Sequence, residues 1–348
     1  MEHKTIGNTG VKIPPIIFGT SALGNLYTAL PYETKLAIVS ECLKHVPKPV
    51  VFDSAGKYGA GLALEELGRI LHQLNISPDD VAISNKLGWI RMPLLTPEPT
   101  FEKGVWMDIQ HDARQNISYE GIHECWEQGN ALLGNYKPAL VSVHDPDEYL
   151  AMATDKAHFN KLFSDILEAY KALGSLKKEG IVKAVGVGAK DWTTIRMIAN
   201  EVNLDWVMFA NSLTIYRHPQ ELLDFMDELH KKGVAIINSA VFHAGFLTGG
   251  DFFDYVKIKP DSEVNKSRFQ WREEFFSVCK KHNVLPANAC VQFALTAPGV
   301  VSISLNTSNP ARIKDNVQSV NCTIPGDFWK EMIDRKLIDT DYYSYLKF

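Results

Sequence analysis

No stretch of this sequence approaches the roughly 18 consecutive apolar residues of a membrane-spanning helix, so no span is expected. A basic excess is missing too. Lysine and arginine number 36 against 41 acidic residues, a formal net charge of −5, which argues against the positive stripe of a nucleic-acid binder. Cysteine is sparse: the five (Cys42, Cys125, Cys279, Cys290 and Cys322) are scattered, odd in number and free of C-x-x-C spacing. That pattern fits reduced thiols rather than a disulfide framework or a zinc site, and no metal is expected. The opening MEHKTIGNTG has no apolar core of the secretory type, so a leader is not expected, and sequons such as Asn116-Ile-Ser118 read as chance matches. Tandem repeats, low-complexity tracts and Pro/Gly/Ser linkers are also lacking. What these absences leave is a cytoplasmic protein with no membrane or nucleic-acid partner, read as one domain over residues 1–348.

What is present is an ordinary globular composition, 45% apolar and 22% charged, which excludes disordered and fibrous classes. Short β-branched runs recur along the chain: PIIFG (15–19), VVFD (50–53), VAISNK (81–86), ALVSVH (139–144), VKAVGVG (182–188), WVMFAN (206–211), VAIINS (234–239) and VVSISL (300–305). Near-continuous apolar runs of this length read as strands covered on both faces. Amphipathic segments lie between them, at 33–46, 62–74, 158–180 and 219–233, and the last two close on Lys-Lys and Gly, a helix stop. Eight strand–helix units in strict alternation imply parallel strands joined by crossover helices, and eight is the number that closes a (β/α)8 TIM barrel. The rhythm breaks once, at 88–115 after the third strand, where Trp89, Phe101 and Trp106 suggest a lid or binding loop.

A barrel of this kind carries its site at the C-terminal ends of the strands. The second strand ends at Asp53, with Tyr58 five residues on in DSAGKYGAG; the third ends at Lys86 and the fourth at His144. Each alone has an ordinary reading, as a helix cap, a loop aromatic, a snorkelling cation or a rim histidine. Together on neighbouring strand ends they make a proton-transfer site. A tyrosine titrates near about 10; an adjacent ammonium favours the phenolate and lowers that value, and a carboxylate behind the ammonium holds it in place. Histidine then orients the oxygen of a carbonyl or alcohol. Such a site interconverts the two and lacks only a hydride carrier.

The Asp53–Tyr58–Lys86–His144 set, the opening GNTGVKIPPIIFGTSALG and the late ARIKDN resemble the aldo-keto reductases over essentially the whole chain. The forms DSAGKYG and VHDPDEY, with the long loop after the third strand, resemble the sugar-oxidising branch that includes L-fucose dehydrogenase and D-threo-aldose 1-dehydrogenase. The resemblance implies a barrel that binds NAD or NADP across its strand ends. Tyr58 matches the general acid/base, Lys86 and Asp53 its tuning pair, and His144 the substrate-orienting residue. Ser239 and Gly245, in INSAVFHAGFLTGG, match the stretch around the pyrophosphate, and Arg312 and Asn316 the residues at the adenosine end.

Three departures bear on that carry-over. The family's Ser-Asn at the nicotinamide carboxamide is replaced by Gly188-Ala189, followed by Lys190. A lysine common in NADPH-using members aligns with Asn306, which weakens the case for a 2′-phosphate and favours NAD, although Arg312 remains. No glutamine for the nicotinamide is evident; Asn211 is the nearest candidate, and Tyr216 either stacks on the ring or packs in the core. Trp89 and Trp106 either stack on a sugar face or bury their loop, and Asp145 is a possible partner for substrate hydroxyls. Gly59-Ala-Gly61 begins like a dinucleotide fingerprint, but Leu64 stands where the third glycine belongs. His218, His230 and His243 read as surface or packing residues, and the terminal DYYSYLKF as a packing tail. The expectation is an oxidoreductase that takes an L-fucose-like aldose to its lactone. The alternatives are a general aldehyde or ketone reductase, a pyridoxal-type dehydrogenase, or a nucleotide-sensing protein with little turnover.

Overall fold

The computed structural model describes residues 1–346. Eight parallel strands close into a barrel in chain order: β1 (Ile16–Gly19), β2 (Val50–Ala55), β3 (Val81–Leu87), β4 (Leu140–His144), β5 (Ala184–Ala189), β6 (Trp206–Ala210), β7 (Ala235–Ser239) and β8 (Val300–Leu305). These are the eight apolar runs read from the sequence, to within two residues at any end. Crossover helices cover the outside: α1 (Tyr32–His45), α2 (Leu62–Gln73), α3 (Tyr119–Leu133), α4 (Lys156–Lys178), α5 (Trp192–Glu201), α6 (Gln220–Lys231) and α7 (Pro286–Thr296). Caps fix several starts. The Ser118 hydroxyl accepts from the Gly121 N–H at 2.9 Å, and the Asp155 carboxylate accepts from the His158 N–H at 2.8 Å, so α4 begins two residues before its apolar pattern does.

Side chains alternate across a strand, and that parity builds the site. Ile17, Val51, Ala82, Leu140, Ala184 and Trp206 point into the barrel and pack together. Ile6 and Ile13 of an N-terminal hairpin (Lys4–Thr5 with Lys12–Ile13) plug the end from which the strands start. Trp206 fills the centre because Gly186 on β5 leaves room: a Cβ there would lie 2.2 Å from the indole. Further along the strands the inward positions turn polar: Asp53, Ser84 and Ser142 one inward step after Val51, Ala82 and Leu140, and Lys86 and His144 one step beyond that.

The sequence missed several pieces. The break after β3 is a hairpin, Trp89–Pro93 antiparallel to His111–Gln115, whose tip spans 94–110. A small hairpin (Phe252–Phe253 with Val256–Lys257) and a long helix (Glu263–Lys281) are inserted between β7 and α7. The C-terminal tail packs on the barrel's outside. Tyr342 stacks on Phe293 of α7 at 4.0 Å, and the Asp339 N–H donates to His218 Nε2 at 3.1 Å. Lys347 and Phe348, the end of the expected packing tail, lie outside the described residues. No helix among the described residues is long and apolar enough to cross a membrane.

Candidate active site

Asp53, Lys86 and His144 sit side by side at the C-terminal rim on β2, β3 and β4, and all are at most 5% exposed. The Lys86 ammonium pairs with Asp53 Oδ2 and lies 3.5 Å from the Ser54 carbonyl oxygen. Tyr58 reaches the same place from the turn after β2. Its backbone is set by two glycines in close contact: a Cβ on Gly59, held at φ +60°, would come within 2.4 Å of the Gly24 oxygen, and one on Gly24 within 2.8 Å of Tyr58 itself. The Lys86 Nζ stands 4.8 Å from the centre of the Tyr58 ring, and the His144 ring meets that ring edge-on at 5.4 Å. All four sequence-derived residues therefore converge.

Their electrostatics correct one expectation. Burial acts most strongly on the Tyr58 phenol and pushes it up; Lys86 pulls it down, while Asp53 and Asp145 push it up again, so the net shift is upward rather than downward. For Lys86, burial works against the charge, but Asp53 and Tyr58 outweigh it and hold the ammonium above its ordinary value. His144 is held well below its ordinary value, first by burial and then by the ammonium groups of Lys57 and Lys86. It is a neutral imidazole at pH 7. Its Nε2 lies 3.5 Å from Asp145 Oδ2, and its Nδ1 is buried with no hydrogen-bond partner among the described residues.

The candidate cofactor residues follow one another around the other half of the rim: Gly188 on β5, Asn211 after β6, Ser239 on β7, Gly245 in the loop beyond it, and Arg312 and Asn316 in a helix after β8 (Arg312–Ser319). Gly188 pairs with His144 across the sheet, and a Cβ on it would sit 3.9 Å from Lys86 Cδ, so its hydrogen leaves space beside the tetrad. Asn211, at φ +58°, buries its Oδ1 with no hydrogen-bond partner among the described residues, as does Asn238. Gly245, at φ +94°, has no atom among the described residues, its chain neighbours aside, within 4 Å of where a Cβ would stand. The Ser239 hydroxyl donates to the Phe209 carbonyl at 3.0 Å, so its proton is engaged within the sheet. Arg312 is exposed and makes no ion pair among the described residues. An extended dinucleotide fits this set: unpartnered amide oxygens at one end, open backbone in the middle and a free guanidinium at the other. Tyr216 packs edge-on against His243, Phe253 and Trp271, the nearest at 5.0 Å, within an aromatic cluster.

The hairpin tip 94–110 folds over the site. Tyr27 N–H donates to Val105 O at 2.8 Å, Met107 N–H to Asn25 O at 3.0 Å, and Trp106 lies 5.7 Å from the Tyr58 ring. Trp89 meets Phe101 at a 46° tilt, 5.7 Å between ring centres, under the Lys57 ammonium; no ring contact joins it to Tyr58 or His144 among the described residues. Asp145, in a left-handed conformation at φ +45°, stands beside His144. Sequence reasoning passed over Lys57 and Glu102, and read Glu148 only as part of a solvated acidic loop. Lys57 is 2% exposed, and its only sequence signal is an ammonium in a turn otherwise built of glycine, alanine and tyrosine. No group of three or more potential metal ligands is clustered among the described residues.

A family model described as the Aldo/keto reductase family matches residues 15–336. Pyridoxal 4-dehydrogenase of Microbacterium luteolum is 26% identical over 97% of this chain and 98% of its own length. D-threo-aldose 1-dehydrogenase of a Pseudomonas species is 25% identical over 95% of this chain and 96% of its own. Among solved structures, an aldo-keto reductase of Bacillus halodurans in its holo form superposes with a TM-score of 0.71 over 97% of both chains, at 19% identity, a likeness of fold.

Proposed function

The chain belongs to the aldo/keto reductase family, an NAD(P)(H)-dependent class of oxidoreductases, and from that premise we propose that it oxidises an aldose of the L-fucose type at C1 to the lactone. The observation that carries the reading is the placement of Tyr58 between the Lys86–Asp53 pair and a neutral His144 at the strand-end rim. Bound nicotinamide would supply the hydride acceptor. The rest falls to the chain. A neutral His144 orients the anomeric oxygen by hydrogen bonding without competing for its proton. The phenolate form of Tyr58, the form that Lys86 favours, accepts that proton from the oxygen and becomes the phenol as C1 gives up its hydride, and the C1–O bond becomes the lactone carbonyl. Lys86 offsets the negative charge on Tyr58, and Asp53 keeps Lys86 charged and in place.

The sugar reading is supported by the polar company of His144, since Lys57, Asp145 and Glu148 lie around it where a broad aldehyde site would be apolar. A second reading, a pyridoxal-type dehydrogenase on the same scaffold, draws on Trp106 over Tyr58 and on the similarity to pyridoxal 4-dehydrogenase. NAD is favoured over NADP because Asn306 is neutral and its amide already donates to the Ser21 hydroxyl at 2.7 Å. Five unpaired cysteines fit a reducing, cytoplasmic setting. The test is absorbance at 340 nm with purified protein, NAD or NADP, and a panel of neutral aldoses with pyridoxal and simple aldehydes. Reduction of NAD by one aldose class supports the proposal. Turnover of pyridoxal alone moves the assignment to the second reading, and bound nucleotide without any turnover leaves a sensor.

A further inference from the structure

Lys57 is an expensive residue to bury. Its side chain is 3% exposed, and its ammonium touches three carboxylates: Glu102 at 2.8 Å, Glu148 at 2.7 Å and Asp145 at 3.5 Å. They come from two segments far apart in the chain, the hairpin tip 94–110 and the turn after β4 with its short helix Pro146–Leu150. Burial opposes the charge, yet the three carboxylates hold Lys57 above its ordinary value, so it stays an ammonium. An ammonium has three N–H donors; Glu148 and Asp145 accept from it and Glu102 pairs with it, so its contacts run to the protein's own carboxylates. The residue is built in to join parts of the protein.

What it joins is the two ends of the chemistry. Glu102, whose Oε1 meets Lys57, accepts from the Trp106 indole N–H on its other oxygen at 2.6 Å, and Trp106 lies against the Tyr58 ring. Asp145, whose Oδ2 meets Lys57, presents the same oxygen to His144 Nε2. Glu148 in turn pairs with Lys190 just beyond β5. A single side chain, adjacent in sequence to Tyr58, thereby ties the covering loop to that tyrosine and the turn after β4 to the histidine. Surface ion pairs of this kind contribute little. Here the ammonium is 3% exposed while its carboxylates are 16–35% exposed, and a cation buried in this way can serve to select one arrangement out of several.

We propose that Lys57 is a positioning residue for the reaction: through Glu102 it holds the loop 94–110 over Tyr58, and through Asp145 and Glu148 it fixes the turn that orients His144. The role rests on Tyr58 and His144 being the proton-transfer and orienting groups proposed for this site. The experiment compares the full chain with Lys57→Met, Lys57→Arg and Glu102→Gln in three measurements: nucleotide affinity, kcat and KM for the active sugar, and amide hydrogen exchange over 97–108 and 145–150.

Lys57→Met is expected to keep nucleotide affinity within about threefold, because the nucleotide residues lie on the other half of the rim. It should lose roughly a hundredfold in kcat/KM, the scale of a small misplacement of reacting groups, and both segments should exchange at least about tenfold faster, the scale of one broken tie. Lys57→Arg keeps the cation and should recover most of the loss. Glu102→Gln should speed exchange over 97–108 alone. Unchanged exchange in both segments of Lys57→Met overturns the proposal, as does a loss of kcat/KM with exchange unaltered, which would make Lys57 a source of field rather than of position. If Lys57→Met does not fold, Glu102→Gln decides, and slow exchange over 97–108 in that variant counts against the proposal. A parent chain without turnover on any aldose or aldehyde removes the functional reading and the positioning role with it, while the exchange result still reports whether the tie exists.

Discussion

Removing the charge of Lys86 should cost stability and activity by separable routes, and the pair with Asp53 lets the two be told apart. Lys86 is 5% exposed and Asp53 is 3% exposed, and Asp53 Oδ1 already has no hydrogen-bond partner among the described residues. In Lys86→Met the carboxylate is left buried with neither ion pair nor donor. Breaking a buried pair in this way costs about 3–5 kcal/mol. A chain of 348 residues has an unfolding entropy of about 0.7 kcal/mol/K at a per-residue value of about 2.1 cal/mol/K, so that cost lowers Tm by about 4–7 °C. Adding Asp53→Asn removes the stranded charge, and a double variant of similar shape and no net charge should regain most of the lost Tm. It should regain none of the activity. Without the ammonium nothing opposes the burial that raises the Tyr58 phenol, and kcat should stay about 10²–10⁴-fold down, the range for general acid–base assistance. Differential scanning fluorimetry with the nucleotide-absorbance assay measures both. A double variant no more stable than Lys86→Met would refute the stranded-charge account, and turnover within threefold of the parent would refute the role of Lys86.

Tyr58→Phe keeps the ring against Trp106 and His144 and loses only the hydroxyl; nucleotide affinity and Tm should hold while kcat falls about 10²–10⁴-fold, and undiminished turnover would remove Tyr58 from its role. Gly186→Ala drives a methyl to 2.2 Å from the Trp206 indole in the barrel's centre; a loss of about 1–3 kcal/mol is expected, partly recovered by adding Trp206→Phe, and urea unfolding gives the answer. Acid should destabilise the fold. Burial first and foremost depresses His144, His218 and His243, so each binds its proton more readily in the unfolded chain; the stability this confers is complete above about pH 6.5 and is lost as pH falls toward the folded values. Tm should therefore drop between pH 7.5 and 5.5, on either side of about 6.5, and a flat profile would contradict the assignment of neutral buried imidazoles.

Much of the architecture is local enough to be written in the chain. Each barrel strand is a short apolar run, and each of the four helical patterns sits within a few residues of where the structure puts it, because burial on both faces of a strand and on one face of a helix leaves a periodic trace. Strand parity then carries Asp53, Lys86 and His144 inward near the strand ends, and the register between strands, with Lys86 opposite Ala55 and Ser142, staggers them around the rim. The hairpin Trp89–Pro93/His111–Gln115 left no such trace. Its strands are short, mixed in polarity and half-exposed, so neither periodicity nor an apolar run marks them.

The sequence by itself pointed to the residues proposed to carry the chemistry and to the strand ends at which they stand. Only the tertiary structure decided their state and their cover. The upward shift of Tyr58 depends on how deeply it is buried, a quantity summed over the whole surround and absent from the motif. The tie from Lys57 to Glu102, 45 positions on, and to Asp145 and Glu148, 88 and 91 positions on, depends on folding alone. Ion pairs between loops have no period and no spacing. They exist because barrel closure brings the ends of β2, β3 and β4 to one rim, and nothing short of that closure places them together.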